Sequence, residues 1–172
     1  MLMEASIAAD FIFATMYKEI LELLPYKSSF RFVDEIISLD ENGVTGNYTL
    51  KKDAFFYEDH FPGNPVTPGV IITEIMAQIG LVVLGIFLAL HLEQKINVDE
   101  DEKVFPLFTS TEVSFFKMVL PGEKVIVISK KQYFRFNKLK CYIEIMNEAG
   151  ELVARGMFSG IIKPFSQNKK SL

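Results

Sequence analysis

Apolar residues change their spacing several times along the chain, and each change predicts an element. From about Ser6 to Leu24, Ile7, Phe11, Ala14, Ile20 and Leu24 recur at mostly three- and four-residue steps, which predicts a leading helix that Pro25 ends. RFVDEIISL and VTGNYTL then flank DENG, where Asn42-Gly43 is suited to supply the positive backbone angles of a hairpin turn. Lys51 to Pro68 mixes aromatics, charges and prolines and reads as a stiff, irregular connection. A helix start follows at Thr67-Pro68-Gly69: the threonine is expected to cap free amides, and proline is tolerated in the first turn. This helix is predicted to run to about His91. Glu74 is the only charged residue between Phe61 and Leu90, so the helix should be buried on most sides.

Beyond the acidic loop INVDEDEK, strands are predicted over VFPLFTSTEVSFF, KVIVISKKQYFRF, KLKCYIEIM and ELVARGMFSGII. Turn sequences LPGE, FNK and EAGE separate the later ones, and the alternation of Leu139, Cys141, Ile143 and Ile145 marks one buried face. Two strands, a long apolar helix and about four more strands predict an α+β domain in which one antiparallel sheet covers a central helix. One sheet cannot enclose such a helix. A second copy of the chain is therefore expected to cover the remainder, giving a homodimer.

The totals narrow the function classes. A length of 172 residues suits one domain, preceded by a helical extension over 1–24 and followed by a flexible tail over 164–172 that carries SQNKKSL. A net charge of −4 argues against nucleic acid as a partner, because neutralising phosphates needs a basic excess. The single cysteine, Cys141, is expected in the core; it rules out an internal disulfide framework and a cysteine-rich zinc site, and fits a reducing cytoplasm. His60 and His91 lie 31 positions apart with no ligand-spaced companions, so no metal is expected. The apolar run Ile79–Leu90 is twelve residues, short of the roughly 20 a membrane span needs, and no span is expected. MLMEASIAADFIFATMYKEI carries acids where a signal peptide is basic, so secretion is not expected.

Chemistry concentrates in HFPGNPVTPGVIITEIMAQ, residues 60–78. His60 opens a loop stiffened by Pro62, Pro65 and Pro68, which can pre-organise an imidazole; taken alone it could equally be a hydrogen-bonded structural residue. Glu74 is harder to explain as structure, since a buried carboxylate costs several kcal/mol unless paired or neutralised. Burial should raise its pKa, as suits a general acid. Gln78 follows at i+4 and is placed to orient that carboxyl; a satisfied structural pair is the plainer alternative. Gly69 either only begins the helix or also offers its free amide to a carbonyl oxygen that becomes an oxyanion. The serines and threonines near His60 form no nucleophile elbow.

That segment resembles the signature of the 3-hydroxyacyl-(acyl carrier protein) dehydratases, hot-dog-fold enzymes of fatty acid synthesis. The likeness extends more loosely over about Leu24 to Lys163, through LPYKSSFRFVDEI and FFKMVLPGE. It implies a hot-dog domain over 25–163, with the antiparallel sheet wrapped around the central helix and the N-terminal helix as an addition. It implies His60 and Glu74 as the catalytic pair, Gly69 as the thioester-carbonyl site and Gln78 as support for the acid. Each active site would combine His60 of one subunit with Glu74 of the other, without a cofactor. The implied reaction is reversible dehydration of a 3-hydroxyacyl thioester to a trans-2-enoyl thioester. An acyl tunnel beside the helix is expected to use Ile71, Ile75 and Ile79, whose spacing alone reads as core packing. The acidic carrier protein would dock on the basic run of Lys130, Lys131, Arg135, Lys138 and Lys140, which is otherwise a solvated strand face. Tyr26 and Lys27 stand where the family has His-Arg, which points towards a specialised route such as aryl-polyene or polyketide assembly. The rivals are a hot-dog thioesterase using Glu74 to activate water, and a non-catalytic acyl-binding subunit.

Overall fold

The computed structural model describes residues 13–91 and 103–165. A first helix, α1, occupies 13–22; the earlier part of the predicted helix, the INVDEDEK segment and the SQNKKSL tail lie wholly or largely outside the described residues. Ile20 and Leu24 are buried, and Met16, Tyr17 and Leu21 pack on the core, whereas Ala14 is exposed, so the inward face is 16, 17, 20, 21 and 24 and only part of the expected spacing marks it. The remaining elements are β1 (Glu35–Leu39), β2 (Gly43–Thr49), α2 (Gly69–Ala77), a π-helical turn (Gln78–Val83), α3 (Leu84–His91), β3 (Lys103–Phe115), β4 (Lys124–Arg135), β5 (Lys138–Asn147) and β6 (Leu152–Phe165).

The six strands form one antiparallel sheet in the order β1-β2-β4-β5-β6-β3. Its inner face carries Val125 and Val127 from β4 and Leu139, Cys141, Ile143 and Ile145 from β5, all buried. Against this face lies the continuous helical segment α2–π–α3, in which Ile75, Met76, Ile79, Val83 and Leu84 are fully buried. This is the hot-dog arrangement of a sheet wrapped on a central helix. Glycines permit the close approach: a Cβ at Gly80 would press on the Ile143 side chain, and one at Gly46 on Ile79. Ser129 on β4 donates its hydroxyl to the Gly80 carbonyl at 2.7 Å, satisfying a main-chain group within the widened π turn.

The stretch Gly69–Leu90 spans 22 residues and is long and apolar enough to cross a membrane. It exceeds the twelve-residue run in the sequence because Glu74 and Gln78 interrupt that run without interrupting the helix. In this fold 83% of its most apolar window is buried by the protein itself, as a core helix requires.

Two local expectations are corrected. Asn42 and Gly43 have no positive φ; instead the Asp40 carboxylate accepts from both their amides, at 2.7 and 3.0 Å, and shapes the turn. Gly43 is required for space, since a Cβ there would collide with the Ser129 carbonyl. The left-handed pair is Phe136-Asn137, with φ of 52° and 59°, closing the β4–β5 hairpin. Thr67 does not cap α2 either: its hydroxyl bonds Tyr57 at 2.6 Å, and Pro68 holds the cap position, its carbonyl accepting from Ile71 and Ile72.

Edge strand β3 is 13 residues long, and Leu107, Phe108 and Phe115 along it are about half exposed. A long apolar edge of this kind is a template for further pairing.

Candidate active site

Glu74 lies in the second turn of α2, half buried. Burial pushes its carboxyl above the ordinary value of 4.5, against a smaller downward pull from the amide of Gln78. Gln78 is fully buried and fully used. Its Nε2 donates to Glu74 Oε1 at 2.8 Å and to the Phe30 carbonyl at 2.9 Å, and its Oε1 accepts from the Phe32 amide at 2.8 Å. The i+4 spacing therefore does bring the two side chains together, and the glutamine also ties the carboxyl to the segment before β1.

Beside Glu74 is a cavity of about 200 Å³, walled by Tyr26, Glu74, Leu81, Val82, Pro106, Leu107 and Phe108. Leu81 and Val82 lie two helical turns beyond Glu74 and continue its face. Ile71, Ile75 and Ile79 do not line this cavity; they are buried in the core, with Ile79 against Gly46. Sequence reasoning also missed Pro106, Leu107 and Phe108. The available signal was the adjacent pair Leu107-Phe108, which strict strand alternation would have separated onto opposite faces.

His60 is held by an irregular loop. Its main-chain amide donates to Phe56, its carbonyl accepts from Val66, and its Nδ1 lies 2.9 Å from the Val66 carbonyl oxygen. A carbonyl can only accept, so Nδ1 carries the hydrogen, and in the neutral ring the lone pair is on Nε2. The ring stacks on Phe61 at 4.2 Å. His60 is not among the residues walling the cavity of its own chain. Gly69 begins α2, and its amide has no hydrogen-bond partner among the described residues; the Phe115 ring sits 3.3 Å from where a Cβ would be.

The basic run is divided by the strand pleat. Lys130, Lys140, Arg135 and Lys138 fall on the outer face, paired across β4 and β5 with Tyr142, Tyr133 and each other. Lys131 pairs with buried Cys141 and belongs to the helix side.

The same fold, an antiparallel sheet wrapped on a central helix, occurs among solved structures. The dehydratase heterocomplex ApeI:P from Xenorhabdus doucetiae superposes with a TM-score of 0.66 at 15% identity, over 84% of this chain and 90% of that one. A hypothetical thioesterase from Streptococcus pneumoniae TIGR4 does so with a TM-score of 0.55 at 10% identity, over 77% and 88%. Such likenesses establish the fold. In sequence, the FabA-like domain model matches residues 24–149. The chain is 35% identical over 153 residues to the 3-hydroxyacyl-[acyl-carrier-protein] dehydratase FabZ of Caldicellulosiruptor saccharolyticus, covering 84% of this chain and 96% of the relative. It is 36% identical over 111 residues to the protein of the same name from Petrotoga mobilis, covering 63% and 70%. This chain belongs to the FabA-like family.

Proposed function

We propose that this chain is a cytoplasmic, homodimeric dehydratase that reversibly removes water from 3-hydroxyacyl thioesters on acyl carrier protein, giving trans-2-enoyl thioesters for fatty acid or related polyketide and aryl-polyene synthesis. The observation that carries the reading is the Glu74–Gln78 pair: a carboxyl kept inclined to hold its proton, on the wall of a mostly apolar cavity, in a FabA-like chain.

His60 Nε2 takes the C2 proton, and the C2–H electrons form the C2=C3 bond. The C3–O bond breaks, and its electron pair stays on oxygen, which takes the Glu74 proton and departs as water. Gly69's amide polarises the thioester carbonyl through the enolate-like transition state. Proton exchange with solvent resets both side chains. His60 comes from the partner subunit; the absence of His60 from its own chain's cavity wall and the apolar β3 edge both support pairing of two copies. Lys130, Arg135, Lys138 and Lys140 on the outer sheet face are the candidate carrier-docking group.

Incubation with 3-hydroxyacyl-carrier substrates of several chain lengths, followed by mass spectrometry, tests this. The parent protein should convert them to species lighter by one water, and Glu74→Gln should lower the rate about 10²–10⁴-fold. Release of free carrier thiol without any enoyl product would instead identify a thioesterase.

A further inference from the structure

Among the described residues, Tyr26 and Glu74 are the only polar side chains on the cavity wall; the other five lining residues are apolar. Tyr26 follows the buried Leu24 and Pro25 on the segment leaving α1. Its ring packs on the core and lies 6.2 Å from Phe30, which is 5.0 Å from Phe32, itself 5.5 Å from Tyr48. Gln78 bonds the main chain of both Phe30 and Phe32 while it holds Glu74. One glutamine thus fixes the carboxyl and the aromatic row that carries Tyr26.

The Tyr26 hydroxyl has no assigned work in the fold. The phenols of Tyr57 and Tyr142 bond Thr67 and Glu144, whereas that of Tyr26 has no hydrogen-bond partner among the described residues and is not sealed from solvent-accessible space. Burial first, and the neighbouring Glu74 charge second, push its pKa far up, so it remains a donor at any working pH.

Taking the dehydration reading as its basis, we propose that Tyr26 is a further catalytic residue, whose hydroxyl donates a hydrogen bond to the C3 oxygen of the substrate as that oxygen leaves. Glu74 supplies the proton that makes water; Tyr26 keeps its own throughout. Its contribution is a fixed donor facing the charge that grows on oxygen while the C3–O bond lengthens. The enoyl product has no C3 oxygen, so the same hydroxyl gives it nothing.

Tyr26→Phe removes the hydroxyl and keeps the ring that packs on Phe30. With the parent dehydrating 3-hydroxyacyl-carrier substrates, the variant should lose about tenfold in kcat/KM, the effect of one hydrogen bond to a partly charged group. In a Glu74→Gln background, where turnover is suppressed, Tyr26→Phe should weaken binding of the 3-hydroxyacyl thioester severalfold and leave binding of the trans-2-enoyl thioester unchanged. Enoyl affinity also reports that the site is folded. Unchanged kcat/KM, or equal loss of affinity for both thioesters, overturns the assignment while leaving the dehydratase reading intact. A parent that forms no enoyl product overturns both.

Discussion

Glu74 and His60 are held by contrasting means. Glu74 stands on a regular helix and is fixed by a glutamine whose own anchors lie 46 and 48 residues away in sequence. His60 stands on an irregular loop and is fixed by a carbonyl six residues away, beside an exposed phenylalanine. The difference suits what the proposed reaction asks of each group. An acid inclined to keep its proton needs burial and long-range restraint, which only the core of its own chain can provide. On the proposed reading His60 is a base that serves a site in another subunit, and such a base needs a rigid but projecting support, which a proline-stiffened loop provides with local contacts.

The largest expected effect tests whether those two supports belong to one site. His60→Ala and Glu74→Gln should each lower dehydration about 10²–10⁴-fold. Refolded together from denaturant, the two inactive variants should recover about a quarter of parental activity, since half the dimers are mixed and one of the two sites in each is then intact. No recovery, in mixtures that mass spectrometry confirms to be mixed dimers, would place both residues in the same subunit's site and remove the division of labour.

A smaller effect tests the difference in restraint. Gln78→Leu leaves the buried Phe32 amide and the partly buried Phe30 carbonyl without their partner, at about 1–3 kcal/mol for the first and less for the second. The melting temperature should fall by on the order of ten degrees. His60→Ala breaks one side-chain bond in a partly exposed loop, worth about 0.5–1.5 kcal/mol, and should move the melt by only a few degrees. Equal shifts in the two melts would mean that the glutamine bracket restrains Glu74 no better than the loop restrains His60.

The same contrast governs what could be read from the sequence. Elements set by periodicity were legible: the central helix and strands β4 to β6 fall where apolar spacing puts them, because burial against the helix or the sheet's inner face imposes that spacing; β3 falls where its apolar residues and flanking breaks put it, although none of its residues 106–115 is buried. The Glu74–Gln78 contact was legible because i and i+4 share a helix face. Elements set by long-range packing were not. Gly43 looked like a turn glycine, yet the close Ser129 carbonyl on β4 is what requires it. The wall of the cavity beside Glu74 was not legible: Ile71, Ile75 and Ile79 form a regular stripe, and a stripe does not say whether core or cavity lies beside it. Tyr26 was visible only as a departure from the family pattern; its place beside Glu74 depends on Gln78 bonding Phe30 and Phe32.

The smallest expected effect concerns protons. Glu74 in the folded chain has its pKa raised above the ordinary 4.5, so the folded state binds this proton more tightly than the unfolded chain does. That contribution to stability is fully present below 4.5 and is lost as pH rises through the raised value. Thermal melts of the parent should therefore fall across this window relative to those of Glu74→Gln, which has no proton to lose. His60→Ala retains Glu74 and should retain this component of the parental pH dependence. Dehydration by the parent should decline over the same rise in pH, because the carboxyl that delivers the proton becomes a carboxylate. Identical melting profiles for the parent and Glu74→Gln would mean that burial imposes no cost on the charged form, and the physical distinction between the two supports would vanish with it.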